Sequence, residues 1–400
     1  MNKKFIVMAA FAAVFGMSFT ACSNNDDDLA GAGNAKFEAK NPLTLNAYTN
    51  NGPATRGFAA NEETDVRVDG MSVWAFDATK ETAITAAADF FMGGPTAGLE
   101  HTWNSTNNYY KAAADYFWPE YNLNFVALTP QTGGGIGTIG ISQAAKVEET
   151  LQKPVMTVAV DVPLTTESDG TYGADTQKDI MFASIENQGP LTSGSASLSF
   201  KHGLSQLVFK GGVDGQSTIH KAVVKSIKLV NVASDGTLTY TAATDEIAAS
   251  AWGDKNKTYA ANIVNHDVTA KIGNADPEDD ETPNAITGQD DNATGRNYQM
   301  MIMPQASVAC EGAGTVNLSQ KDAPTAGTYL LVNADLYANG DNVNKVISSA
   351  TNVYIPLEVT TWEPNTKYTY TLKFGDNLMH PITFTAEISN WATTPKNVEY

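Results

Sequence analysis

The chain has 400 residues, a formal net charge of −19 at pH 7 and 42% hydrophobic residues. That length supports more than one domain with a core of its own, and so acidic a balance excludes a basic stripe for nucleic acid, whose phosphates its field would repel. It holds two cysteines, and Cys22 lies at a processing motif, which leaves Cys310 single and no intramolecular disulfide to form.

Met1–Cys22 reads MNKKFIVMAAFAAVFGMSFTAC. Lys3 and Lys4 precede an apolar run, Phe5–Phe19, then Thr20-Ala21 and Cys22. The run is shorter than the roughly 18–20 residues of a membrane-spanning helix, so it reads as a secretory signal covering residues 1–21. A cysteine at the cut site marks a lipoprotein, with Cys22 carrying lipid as the first mature residue. SNNDDD (Ser23–Asp28) is polar, acidic and low in complexity, a solvated tether. It is either a plain spacer or an address, since it resembles the acidic tag of Bacteroidota lipoproteins sent to the outer face of the outer membrane. Leu43, Leu45 and Ala47 alternate with polar residues as a strand does. Arginine occurs at only three positions, Arg56, Arg67 and Arg296. Arg56 lies in the turn-rich GPATRGF and is followed by Gly57. It is either an ordinary loop residue or an accessible protease site.

Past residue 57 the chain is a succession of short β-patterned runs separated by Gly, Asn, Asp and Thr. The clearest are Val66–Phe76, Leu123–Leu128, Val155–Val162, Ala196–Phe200, Leu207–Lys210, Val223–Val232, Tyr298–Met303, Thr328–Tyr337, Val353–Val359, Tyr368–Phe374 and Ile382–Ile388. In the last, Ile382, Phe384, Ala386 and Ile388 alternate with polar residues. Short helices are expected at Ala83–Phe91 and Ser142–Gln152. Strands at this spacing with so little helix point to an all-β chain of sandwich type. Gly, Pro and Ser cluster at Gln188–Ser195 and suggest a boundary, giving an N-terminal domain 57–192 and a C-terminal domain 193–400. Asp276–Asp291 carries seven acids and no base, and reads as a long surface loop without the ligand spacing calcium needs.

Gly135–Gly140 matches G-x-G-x-x-G, but Thr129–Thr132 intervenes after the preceding strand and no further βα unit follows, so a glycine-rich loop is the better reading. The five histidines show no metal-binding spacing. Cys310 stands outside any nucleophile signature and reads as a small hydrophobe. No catalytic residues, metal or cofactor are expected. The aromatics from Trp103 to Tyr121, among them Tyr109, Tyr110, Tyr116, Phe117 and Trp118, either fill a core or form a platform for glycans.

FWPEYNLNFVALTP (Phe117–Pro130) resembles a segment of the Mfa-like fimbrillins, subunits of the type V pili of Bacteroidota. DIMFAS (Asp179–Ser184), LSFKHGLSQLVFKG (Leu198–Gly211), IKLVNVASDGTLTY (Ile227–Tyr240), MIMPQ (Met301–Gln305) and WEPNTKYTYTLKF (Trp362–Phe374) follow in the family's order. The resemblance implies two transthyretin-like β-sandwich domains in tandem and a non-enzymatic pilus subunit that serves cell adhesion. It further implies export as a surface lipoprotein of the outer membrane, then cleavage after Arg56 by an Arg-specific protease. Residues 22–56 would then be a tether and removable segment whose loss opens a groove for a strand from another fimbrial subunit. Ile382–Ile388 is either that donor strand or a permanent strand of its own domain. The competing reading is a monomeric surface lipoprotein that binds glycans through the aromatic stretch.

Overall fold

Period-two patterning of this kind yields an almost wholly β molecule. The computed structural model describes residues 41–49, 69–131, 136–162, 179–191, 195–213, 219–242, 244–250, 259–261, 284–285, 290–291, 296–297, 300–311, 320–338, 346–357, 361–375, 382–390 and 396–397. Lys40–Tyr400 forms one compact unit, and Met1–Ala39 falls outside the described residues.

The first nine strands are β1 (Leu45–Thr49), β2 (Met71–Asp77), β3 (Leu99–Asn104), β4 (Tyr109–Ala112), β5 (Leu123–Thr129), β6 (Ile136–Gln143), β7 (Pro154–Asp161), β8 (Met181–Gln188) and β9 (Ala196–His202). There follow β10 (Ser205–Val213), β11 (Ile219–Val230), β12 (Asp235–Thr241), β13 (Glu246–Ser250) and β14 (Tyr259–Ala261). Short pieces come next: β15 (Asn284–Ala285), β16 (Asp290–Asp291), β17 (Arg296–Asn297), β18 (Met300–Ile302) and β19 (Gln305–Ala306). The chain closes with β20 (Tyr329–Ala338), β21 (Val346–Pro356), β22 (Thr361–Trp362), β23 (Thr366–Phe374), β24 (Ile382–Asn390) and β25 (Lys396–Asn397).

Seven strands close a barrel in the order β1-β4-β3-β2-β5-β8-β9. Its interior packs Leu45, Val73, Ala75, Phe125, Leu198 and Phe200. A sheet of order β13-β12-β7-β6 covers the barrel's outer face through Trp74, Phe76, Val126, Met156, Val158 and Leu238. Strand β2 is therefore apolar on both faces, which is why its run MSVWAF hardly alternates in hydrophobicity. Ten of the other strands form a sandwich: β15-β10-β23-β24-β25, with β18 also on β10, packs on β14-β11-β20-β21 across Phe209, Ile227, Leu229, Val332, Tyr370 and Leu372, while β16-β17 and β19-β22 are separate two-stranded ladders.

The two halves of the sequence interleave. Strand β9 lies beyond the boundary expected at 192/193 yet completes the barrel on β8 and β1. The hairpin β12–β13 runs back to the first half and pairs with β7 from Asp235↔Asp161 to Thr241↔Val155. That pairing satisfies the backbone of β7 on the side away from β6, a need that the composition of residues 188–195 does not register. Strand β18 and its flank serve two cores at once, Met301 and Met303 on the barrel side and Ile302 in the sandwich. Buried polar groups secure the junction. His202 Nδ1 is hydrogen-bonded to the Asp179 carboxylate. Gln305 Nε2 donates to Ala233 O (2.9 Å) and Met303 O (3.0 Å), and its Oε1 accepts from the Ala233 amide at 2.7 Å.

Neither expected helix forms. Ala83–Phe91 contains only a 3-10 turn, Ala87–Asp89, whose aspartate accepts the Thr85 and Ala86 amides at 3.0 and 2.8 Å. Ser142–Gln152 is the end of β6 followed by a turn in which Val147 and Thr150 exchange backbone bonds of 3.0 and 2.9 Å. Both segments are too short to repay helix nucleation, and Ile84 and Gln143 bond each other's backbone instead.

Candidate functional site

The strand ahead of Arg56 closes the barrel. Its alternation dictates how it sits: Leu43, Leu45 and Ala47 point into the barrel core, with Leu45 fully buried. On one side β1 pairs in parallel with β9, from Leu45↔Ala196 to Thr49↔Phe200. Ahead of that ladder Ala196 N donates to Thr44 O at 3.0 Å, and the hydroxyls of Thr44 and Ser195 are 2.8 Å apart. On the other side the contact is shorter. Leu45 opposes Tyr110 of β4, Leu43 N donates to Tyr116 O (2.8 Å), and Trp118 N donates to Asn41 O (2.9 Å). Burying two leucines and one alanine contributes roughly 4–7 kcal/mol gross, at about 1.5–3 kcal/mol per leucine and about 0.8 for a methyl. Withdrawn, the strand would leave two unpaired edges, β4 and β9, flanking an apolar trough.

Beside the seat of β1 lies a cavity of about 290 Å³ whose walls include Pro42, Leu43, His101, Tyr109, Lys111 and Phe117. His101 is buried, with Nδ1 3.0 Å from Leu99 O, and burial pushes its imidazole below the ordinary 6.5. Lys111 pairs with Asp115 at 2.9 Å, which raises the ammonium's pKa.

The aromatic stretch serves the core. Tyr110 and Trp118 are buried in it, and Trp103 and Tyr116 pack against it. Trp103 meets Tyr110 edge-on at 5.1 Å, and Trp118 meets Phe125 at 5.9 Å. Phe117 and Tyr121 remain exposed, at 39% and 40%. Phe117 lines the cavity beside β1 together with Tyr109 and Tyr116.

Cys22, Arg56 and Gly57 lie outside the described residues. Ile382, Phe384, Ala386 and Ile388 stand on β24, opposite Phe374, Leu372, Tyr370 and Tyr368 of β23. They belong to a different sheet from β1, so one copy of the chain does not bring the two strands together. Gly137 and Gly140 are strand residues of β6, with Gly140 opposite Thr157 of β7. The glycine-rich loop expected there is replaced by strand over 136–140. Cys310 is half-buried, its Sγ donates to Thr328 O at 3.0 Å, and burial pushes the thiol's pKa up. Of Asp276–Asp291, only β15 and β16 are described. Among the described residues no group of His, Cys, Asp and Glu is placed to hold a metal ion. Sequence reasoning missed Ser195 and the partnership of β1 with β9, for which alternation in both strands was the only signal.

The family model described as fimbrillin-like matches residues 55–391, beginning just after β1. A fimbrial protein from Bacteroides vulgatus shares 17% identity and a TM-score of 0.53, over 88% of this chain and 99% of that one. A candidate cell adhesion protein from Bacteroides uniformis shares 14% identity at a TM-score of 0.43, over 88% of this chain and 98% of that one. The tip fimbrial protein Mfa3 from Porphyromonas gingivalis shares 9% identity at a TM-score of 0.34, over 88% and 100% respectively. No curated protein matches. Of these only the Bacteroides vulgatus likeness speaks to the fold, and at 17% identity to nothing further.

Proposed function

The chain belongs to the fimbrillin-like family, and from that premise we propose that it is a structural pilus subunit assembled by β-strand exchange. A fimbrial or adhesin role at a surface appendage follows from the family itself. The precursor is exported as a lipoprotein, held at the outer membrane through lipid on Cys22, and cut between Arg56 and Gly57. Cutting frees β1, and a strand from another subunit enters its place, with Ile382–Ile388 as the candidate donor.

The observation that carries this reading is the position of β1. It lies ahead of Arg56 in sequence, it is seated through backbone bonds and three apolar side chains, and its withdrawal would expose β4 and β9. Edges of that kind bind extended strands. The test uses a soluble form beginning at Ser23 with Arg296→Lys, treated with an arginine-specific protease and followed by size-exclusion chromatography. Concentration-dependent oligomers after the cut are expected. A stable monomer at every concentration, with the N-terminal segment demonstrably gone, would refute strand exchange.

A further inference from the structure

Two features of the seat of β1 bear on register, the sizes of its inward side chains and one hydroxyl contact. A one-residue slip against β9 would turn Leu43, Leu45 and Ala47 out of the barrel. A two-residue slip keeps apolar residues inward and must be prevented otherwise. Moving Leu45 into the space of Ala47 overfills a site that holds one methyl group. Moving Ala47 into the fully buried site of Leu45 leaves a void. Thr44 adds a polar check, because its hydroxyl meets that of Ser195 at 2.8 Å. Either slip replaces Thr44 there by Pro42, which has no polar side-chain atom, or by Asn46, whose amide is longer.

The seat therefore asks for a large apolar residue, Thr or Ser, a second large apolar residue, any residue, then Ala. Residues 382–386, Ile-Thr-Phe-Thr-Ala, meet that demand. So do Met17–Ala21, which a form beginning at Ser23 lacks, and Met71–Ala75 and Leu238–Ala242, but β2 is held between β3 and β5, and β12 between β7 and β13. Strand β24 is different. It pairs with β23 along its whole length, a ladder it must leave to enter the seat, but on its other side its described partner, β25, reaches only Glu387 and Ile388.

We propose that Ser195 sets the register of any strand occupying this seat. A second copy of the chain then docks parallel to β9 with Thr383 against Ser195, Ile382 in the Leu43 site, Phe384 in the Leu45 site and Ala386 in the Ala47 site. This rests on the strand-exchange reading above. Because a phenyl ring is larger than the leucine it replaces, Phe384→Leu strengthens association.

The experiment uses the soluble form beginning at Ser23 with Arg296→Lys and Cys310→Ser, cut at Arg56, and reads disulfides between copies. Ser195→Cys is combined in turn with Thr383→Cys and with Thr385→Cys. Thr44→Cys with Ser195→Cys in the uncut chain establishes that the geometry permits the bond. Two residues along a strand span about 6.6 Å, so linking at Thr383→Cys should exceed linking at Thr385→Cys by about tenfold or more. Separately, Ser195→Ala and Thr383→Val should each weaken association about three- to tenfold, and together no more than either alone. Equal linking at both positions, or more at Thr385→Cys, overturns the register and leaves strand exchange standing. Association with no link at either position also overturns the proposal alone. A chain that stays monomeric and unlinked defeats strand exchange, and the register with it.

Discussion

Leu45→Ala tests whether β1 is a separable element. The side chain is fully buried at the centre of the barrel core, opposite Ala196 on one side and Tyr110 on the other. Leucine-to-alanine changes at such sites cost about 2.7–5.0 kcal/mol through lost transfer energy and the void left behind. The substitution leaves the backbone ladder intact, so the cost falls on the seating of the strand. Where β1 opens independently, about 3 kcal/mol raises its local opening constant about a hundredfold. Native-state hydrogen exchange reads this at the amides of Leu43, Trp118 and Ala196, each bonded across the seat at 2.8, 2.9 and 3.0 Å. Exchange at those amides should accelerate about a hundredfold while amides in the β10–β23 ladder keep their protection. Equal acceleration in both places would show that β1 leaves only with global unfolding and is not a removable strand. No acceleration at Ala196 would contradict the burial on which it rests.

Other consequences are open to direct measurement. Gln305→Leu strips Ala233 of the two bonds the amide makes to it, and a loss of about 2 kcal/mol in urea unfolding is expected. Burial holds His101 below its ordinary 6.5, so the folded state resists protonation. Its contribution to stability is complete above pH 6.5 and is lost as the pH falls through the depressed folded value, so thermal midpoints should drop on acidification and His101→Gln should flatten part of that drop. Gly327 adopts φ +99°, and a Cβ there would lie 2.5 Å from Ala309 O and 2.6 Å from Cys310 N. Gly327→Ala should therefore cost at least about 2 kcal/mol, as seen by thermal denaturation.

Most strands were legible because alternation is a local property. Leu43–Ala47, Val155–Val162 and Tyr368–Phe374 all declared themselves by period two, and each is a strand. Partnership is not local. Nothing in LNAYT says that it lies parallel to ASLSFKH about 150 positions away, nor that DGTLTYT returns to β7. Composition at 188–195 suggested a boundary because turn residues cluster there, yet a turn is equally the route from β8 to β9 within one barrel. Gly137 and Gly140 misled for a related reason: glycine signals a loop in isolation but is tolerated in β6, where the neighbouring β7 supplies the ladder. Ser195 carried no signal of its own, because a serine beside a strand acquires meaning only from the hydroxyl opposite it.

Residues 50–70 are all that join β1 to β2. A strand held on so short a leash is present at its own seat at an effective concentration on the order of millimolar. A competing strand from a second copy, at micromolar concentration, is outnumbered there about a thousandfold whatever its affinity. Cutting the leash leaves the described pairing of β1 with β4 and β9 in place, yet it removes that advantage and puts the resident strand and the newcomer on equal terms. On this arithmetic, scission between β1 and β2 has the same effect at Arg67 as at Arg56. The uncut chain would be protected from premature polymerisation by connectivity rather than by the strength of its own strand.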